Sequence, residues 1–132
     1  MTKNETKRYT LPRFLVCNAR SLTNKIDELS TGIHSNKIDI AVVVESRLQA
    51  DMSNDCFSIL GYNSISKDRD RRRVGGICVY IRNDISYKYW IDLHQDNIEC
   101  IWVTIHPKCM PRNTPNITIE AVYHPPKPTT GK

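Results

Sequence analysis

The feature that most constrains the fold is the segment DIAVVVESRL, residues 39–48, because its apolar residues are consecutive. No polar residue interrupts Ile40 to Val44, and a strand without polar alternation is typical of burial on both faces. Such a strand needs a covering layer on each side of its sheet. Glu45 follows directly, so a carboxylate stands at the end of a buried strand. It either marks the point where the strand reaches solvent or serves as a ligand.

A helical pattern precedes this strand, and another short apolar run, Phe14 to Cys17, precedes the helical pattern. Large aliphatic residues recur every three or four positions at Leu22, Ile26, Leu29 and Ile33. This stripe predicts one amphipathic helix, with Ser21 as its N-cap. Strand, helix and strand in this order predict a right-handed crossover between parallel strands. Their carboxyl ends then share one edge of the sheet, where we expect Asn18 and Glu45 to converge.

The rest of the chain predicts strands joined by turns. Apolar residues alternate in GGICVYIRNDI, ECIWVTIHP and NITIEAVYHPP, and a weaker strand pattern surrounds Gly61. We therefore expect an α/β fold of the α+β type, a mixed sheet with one clear helix. One helix cannot cover both faces of such a sheet, so either a layer is missing or one face is wet.

Composition excludes several classes of protein. The 132-residue chain suffices for one domain with a core, and its formal charge of +5 permits a phosphate-bearing partner without requiring one. Its five cysteines form no C-x-x-C pair and predict reduced core thiols of an intracellular protein, nuclear or cytoplasmic. The N-terminus lacks a secretion signal, and no apolar run approaches the roughly 20 residues that cross a bilayer. We expect neither secretion nor a membrane partner.

Six segments resemble, in order and spacing, the endonuclease domain of LINE-type non-LTR retrotransposons. They are NARSLTNKIDEL, DIAVVVESRL, GYN, RDRRRVGGICVYIR, ECIWVTI and AVYHPP. That domain belongs to the endonuclease/exonuclease/phosphatase superfamily, whose fold is a four-layered αββα sandwich. The resemblance implies the N-terminal half of this sandwich, a partial domain over residues 11–126. A flexible tail at 1–10 and a truncated tail at 127–132 would flank it.

The half-sandwich implies that one sheet face is open. We expect the apolar residues of the later strands to divide between a helix-covered face and a face built for a second sheet. These residues are Ile77, Val79, Ile81, Ile101, Val103, Ile105, Ile117 and Ile119. An open face of this kind exposes a contiguous apolar patch, so we expect the isolated chain to self-associate.

The resemblance also implies what the converging strand ends do. Glu45 matches the family's metal-binding glutamate and would hold Mg²⁺ or Mn²⁺, which take oxygen ligands. Asn18 and Tyr123 match catalytic residues that orient the site and reach the scissile phosphate. A basic loop matches the family's DNA-contacting loop, and guanidinium groups suit phosphate, although the same charges also fit a solvated loop. Its members are Arg69, Arg71, Arg72 and Arg73.

The later part of the family's catalytic machinery has no match, because the sequence contains no Asp-x-Asn motif and no Asp-His pair. An attacking water then lacks a base or an orienting group. We therefore expect metal-dependent hydrolysis of DNA to be absent from this chain and the metal to bind weakly. The alternative is a non-catalytic remnant, either a basic DNA-binding or protein-interaction module or a chain without function. The resemblance further implies a reverse transcriptase domain downstream in a parent protein.

Overall fold

The computed structural model describes residues 10–48, 53–67, 76–91 and 99–123. In chain order these residues form β1 (Phe14–Asn18), α1 (Ile26–Ser35), β2 (Ile40–Val44), β3 (Tyr62–Lys67), β4 (Ile77–Arg82), β5 (Ser86–Tyr89), β6 (Glu99–His106) and β7 (Ile117–Tyr123). Short 3₁₀ helices at Leu22–Asn24 and Asn54–Cys56 precede α1 and β3. Across the described ranges, no helix has the length and apolar character needed to span a membrane.

The strands form two sheets, which we call the first and the second sheet. The first has the order β1-β2-β4-β3, with β1 and β2 parallel and the other neighbours antiparallel. The second is antiparallel and has the order β5-β6-β7. The predicted mixed sheet and the one clear helix are therefore confirmed. Together, α1 and the two sheets make a partial αββα sandwich.

The position of β2 explains why its sequence is apolar throughout. Ile40 and Val42 point toward the second sheet and belong to the core between the sheets. Ala41 and Val43 point the other way and pack in the core beneath α1. All four are at most 7% exposed, so helix and second sheet together provide the two covers that the sequence demands.

The second sheet belongs to this chain, which corrects the expectation of an open inter-sheet face. The eight apolar residues of the later strands all contribute to one inter-sheet core instead of dividing between two faces. Six are at most 1% exposed, and Ile117 and Ile119 are partly buried against the same core. The period-two pattern marks one buried face on each strand, but it does not say which layer covers that face.

The start of α1 also differs from the prediction. Ser21 has a φ of 143° and makes no capping hydrogen bond, and α1 begins only at Ile26, after Lys25 as the N-cap. The predicted N-cap at Ser21 is therefore wrong. The backbone N–H of Leu22 instead donates to the carbonyl of Ser46 at 2.9 Å, so this segment is held by the loop that follows β2.

The end of the first sheet away from Glu45 is fixed by a carboxylate. Asp39 is buried, accepts the backbone N–H of Arg13 at 2.7 Å and forms an ion pair with Arg82. These contacts join the start of β1, the start of β2 and the end of β4. Because register errors would turn apolar residues to the wrong face, this junction helps to hold the strand ends at the opposite edge in place.

The remaining predictions on the termini and thiols have mixed outcomes. The predicted tails lie outside the described residues except for Thr10, whose backbone N–H donates to the carbonyl of Cys109 at 3.2 Å. All five cysteines are free. Cys78 and Cys100 are core thiols as expected, whereas Cys56 and Cys109 are exposed.

Candidate active site

The first two strands end side by side at one edge of the first sheet. In the parallel pairing of β1 with β2, Asn18 lies opposite Val44, and the backbone N–H of Ala19 donates to the carbonyl of Val44 at 3.0 Å. Glu45 is the next residue after this pair. The structure thus brings Asn18 and Glu45 to the same edge, as the order strand, helix, strand predicts, while their chemical roles remain predictions.

The side chain of Asn18 is oriented by its own turn. Its Oδ1 accepts the backbone N–H of Arg20 at 3.1 Å, an arrangement that asparagine commonly makes two residues ahead. Asn18 also lies close enough to Glu45 for its side chain to help lower the pKa of that carboxylate. Since an ionised carboxylate only accepts hydrogen bonds, the amide NH₂ group is the part of Asn18 that favours its charged form.

The third residue of the site comes from the second sheet. Tyr123 ends β7, is 7% exposed and donates its hydroxyl to Oε1 of Glu45 at 2.7 Å. Three strands from two sheets therefore deliver Asn18, Glu45 and Tyr123 to one point. We call this cluster of three residues the carboxylate site.

The backbone around the carboxylate site is unusually strained. Of the six non-glycine residues with positive φ in the described ranges, four lie on the two segments that leave β1 and β2. They are Arg20 at 55°, Ser21 at 143°, Glu45 at 53° and Arg47 at 53°. Such conformations cost roughly 1–3 kcal/mol each and concentrate at sites where function requires a particular geometry.

Two arginines at the site are missing from the residues predicted from sequence. Arg20 and Arg47 each follow a site residue by two positions, in NAR and ESR, and both adopt a left-handed backbone. Both are near enough to Glu45 to act on its charge. The repeated spacing of an arginine two residues after each strand end is the signal that could have revealed them.

The carboxylate of Glu45 is held in its charged form. Its pKa is lowered from the usual value, chiefly by the hydrogen bond from Tyr123. Partial burial opposes this effect, whereas the nearby side chain of Asn18 and the cations of Arg47 and Arg20 add to it. Since the folded state lowers this pKa, the associated stability is present above the ordinary glutamate pKa and is lost as the pH falls through the lowered value.

Removal of the tyrosine hydroxyl tests this assignment. In Tyr123→Phe the pKa of Glu45 should rise toward its usual value, because the main donor to the charged form is gone. The measurement is an NMR titration of the Glu45 side-chain carboxyl carbon. Tyr87→Phe, an exposed tyrosine of β5, is the matched control and should leave the titration unchanged. An unaltered Glu45 titration in Tyr123→Phe would contradict the assignment.

The residues of the site fit a divalent cation only loosely. Glu45 supplies one carboxylate, and the amide oxygen of Asn18, which accepts one N–H within its own turn, has one lone pair left to offer. Within the described part of the chain, no three histidine, cysteine, aspartate or glutamate side chains group as metal ligands. Mg²⁺ can bind through a single carboxylate if waters and a substrate phosphate complete its shell. The neighbouring Arg20 and Arg47 weaken a free cation's attraction to the site and favour an anion.

The predicted DNA-binding arginines, Arg69, Arg71, Arg72 and Arg73, lie outside the described residues. The residues that flank them in the chain are at the edge of the carboxylate site. Lys67 pairs with Ile77, and Ile77 pairs in turn with Val44. Gly76 accepts the backbone N–H of Ser46 at 3.3 Å and donates its own to Oε2 of Glu99 at 2.8 Å.

Comparison with known proteins bears on the fold. No family model and no curated protein matches the sequence. The AP endonuclease LMAP from Leishmania major superposes with a TM-score of 0.63 at 15% identity, over 85% of this chain and 40% of that one. The chain thus spans well under half the length of LMAP. At this identity the likeness shows that the two chains share a fold and nothing beyond the fold.

Two structures of NExo from Neisseria are more distant. One is a 3′ phosphatase bound to a product DNA hairpin, with a TM-score of 0.49 at 16% identity over 69% of this chain and 37% of that one. The other is a 3′-5′ exonuclease from Neisseria meningitidis, with a TM-score of 0.47 at 17% identity over 67% and 36%.

Proposed function

We propose that the carboxylate site is the metal and phosphate site of a DNA endonuclease domain of the retrotransposon type, in a chain that does not itself cleave DNA. The observation that carries this proposal is the hydrogen bond that Tyr123 of β7 donates to Glu45, at the sheet edge where Asn18 of β1 approaches the same carboxylate. A carboxylate that merely ends a strand in solvent needs neither contact. The strained backbone on both sides of it supports the same interpretation.

Each residue has a role that its geometry suits. Glu45 would hold Mg²⁺ or Mn²⁺, and the cation would supply Lewis-acid stabilisation of charge on phosphoryl oxygens. Asn18 would help to keep the carboxylate in its charged form. The Tyr123 hydroxyl lies 2.7 Å from the carboxylate and, because it has one proton to donate, would reach a bound phosphate by releasing its hydrogen bond to Glu45. Arg20 and Arg47 offset the charge of the phosphodiester.

DNA is the proposed partner. The superposed LMAP is an AP endonuclease, and the positive charges beside Glu45 suit a polyanion. The six sequence segments resemble those of retrotransposon endonuclease domains. This resemblance supports an intracellular protein of a retrotransposon, nuclear or cytoplasmic, with a reverse transcriptase domain elsewhere in the parent protein. Self-association of the isolated chain is also part of the proposal, through apolar residues that lie outside the buried inter-sheet core.

Metal binding can be tested without activity. Addition of Mn²⁺ should broaden the amide NMR signals of residues next to Glu45 through paramagnetic relaxation, at millimolar concentrations because one carboxylate binds weakly. Glu45→Gln should abolish the broadening. Glu120→Gln removes an exposed glutamate from β7 and is the control that should preserve it. Equal broadening in wild type and Glu45→Gln would place the cation elsewhere and refute the site.

Inactivity is the second expectation. The purified chain should nick supercoiled plasmid in Mg²⁺ no faster than buffer, because the sequence has no Asp-x-Asn or Asp-His group to orient or activate water. A gel assay compares the nicking rate of the wild type with that of Glu45→Ala, and the two rates should be equal. Clear nicking that disappears in Glu45→Ala would overturn the inactivity while supporting the site.

A DNA-binding module without metal is the alternative function. It is favoured by the local charge, since two arginines accompany a single carboxylate at the site. The two functions separate experimentally, because DNA affinity that is the same with Mg²⁺ and with a chelator, and is unaffected by Glu45→Gln, supports the module. Affinity that rises with Mg²⁺ through Glu45 supports the endonuclease-type site.

A further inference from the structure

The two sheets are staggered along one side of the sandwich. The second sheet ends at β7, which packs across β2 and β4, whereas the first sheet extends one strand farther, to β1. Phe14 and Val16 pair with Ile40 and Val42, and so share the inter-sheet face of the first sheet. Yet neither belongs to the inter-sheet core, and they are 44% and 70% exposed. Among the described residues nothing lies over β1, so these ranges leave a notch one strand wide above it.

The two edge strands that border this notch, β1 and β7, are less protected against pairing with another chain than the edge strands β3 and β5 on the opposite side. Edge strands normally carry charges, proline or irregularities that discourage pairing with another chain. On the opposite side of the sandwich, β3 and β5 each contain a lysine, Lys67 and Lys88. β1 contains no charged residue, and the seven-residue β7 contains only Glu120. Val122 of β7 adds a further exposed apolar side chain, at 39%.

The direction of the strands decides what can fill the notch. The last residue of β7, Tyr123, meets the residue that follows β2, so β7 runs in the same direction as β2 and therefore as β1. A second copy turned by 180° about an axis parallel to the strands, midway between the sheets, keeps that direction. The rotation brings the first sheet of the second copy to the level of the second sheet of the first copy. β1 of the second copy then enters the notch beside β7 of the first.

We propose that the chain forms a two-fold dimer in which β1 of each copy pairs, in parallel, with β7 of the other. The stagger makes the interface self-complementary, since each copy projects β1 at the level where the other ends at β7. Direct pairing of β7 with β7 about a two-fold axis perpendicular to the sheets would overlap the two projecting β1 strands. The exchanged pairing avoids this clash and continues each second sheet into the partner's first sheet.

The dimer accounts for the exposed apolar residues along this side. Phe14 and Val16 would face their own counterparts across the axis and become buried. Val122 of one copy would lie beside β1 of the other copy. It would be near the hollow between β1 and α1 of that copy, which Cys17, Ala19 and Leu29 line. Because the axis runs along the strands, both carboxylate sites would open at the same end of the dimer.

Sedimentation velocity of the full chain over a range of concentrations tests the dimer. The wild type should shift from monomer to dimer, and Val16→Lys should raise the dissociation constant by about tenfold or more, because two like charges would meet at the axis. Val16→Glu should do the same. An equimolar mixture of the two variants should dimerise again, since residue 16 then faces an opposite charge. Leu60→Lys, at an exposed turn residue before β3, is the control that should not change association.

Circular dichroism melts verify that both Val16 variants remain folded, as expected for a side chain that is 70% exposed in the monomer. A wild type that stays monomeric at every soluble concentration overturns the proposal. The proposal is also overturned if Val16→Lys and Val16→Glu associate as strongly as the wild type. It is likewise overturned if the mixture of the two variants does not dimerise, because the contact would then lie on another surface.

Discussion

Ile101→Ala is expected to lower the free energy of unfolding by about 2–5 kcal/mol. Ile101 lies on β6, is 1% exposed and belongs to the core between the two sheets. Truncation removes buried methyl and methylene groups and leaves a cavity that rigid strands on both sides cannot close. Since a domain is stable by only about 5–15 kcal/mol, this loss is a large fraction of the total.

Urea denaturation monitored by circular dichroism measures the effect. Ile91→Ala makes the same chemical change at a position that is 70% exposed, and it should alter the unfolding free energy by less than about 0.5 kcal/mol. Equal small effects at both positions would mean that the inter-sheet core is not formed by this chain in solution. In that case the expectation of an open half-sandwich would be restored.

The second large effect is expected in DNA binding. Replacing Arg71, Arg72 and Arg73 by alanine should weaken binding and flatten its salt dependence, because each lost phosphate contact reduces the slope of log K against log salt by about 0.9 on duplex DNA. Loss of three contacts would reduce the slope by about 2.7. Fluorescence anisotropy with a labelled duplex, measured at several salt concentrations, gives the slope directly.

The matched control uses basic residues at the end of the sandwich away from Glu45. Lys108 and Arg112 are exposed in the segment between β6 and β7, away from the end where β7 meets Glu45. Their replacement by alanine should leave the slope nearly unchanged. If the control reduced the slope as much as the arginine triple variant, DNA binding would depend on overall charge rather than on these three arginines.

Several elements could be predicted from the sequence alone, because the pattern of apolar residues that defines each of them lies within one short segment. The uninterrupted apolar run of β2 predicts burial on both faces, and the stripe from Leu22 to Ile33 predicts the helix. Their order predicts the parallel pair, and the parallel pair places Asn18 and Glu45 at one edge. Local pattern failed at Ser21, where a hydrogen bond from Leu22 to the distant Ser46 competes with the expected helix cap.

Only the tertiary structure decided how the layers meet. Alternation of apolar residues shows that a strand has a buried face, but eight such residues could be assigned to one core only when both sheets were in place. The hydrogen bond from Tyr123 to Glu45 joins residues 78 positions apart and requires the packing of β7 over β2. The left-handed backbone at Arg20 and Arg47 and the stagger that exposes Phe14 and Val16 are likewise consequences of packing. Sequence determines which faces are apolar because that is a property of each segment, whereas layer contacts depend on where all segments lie at once.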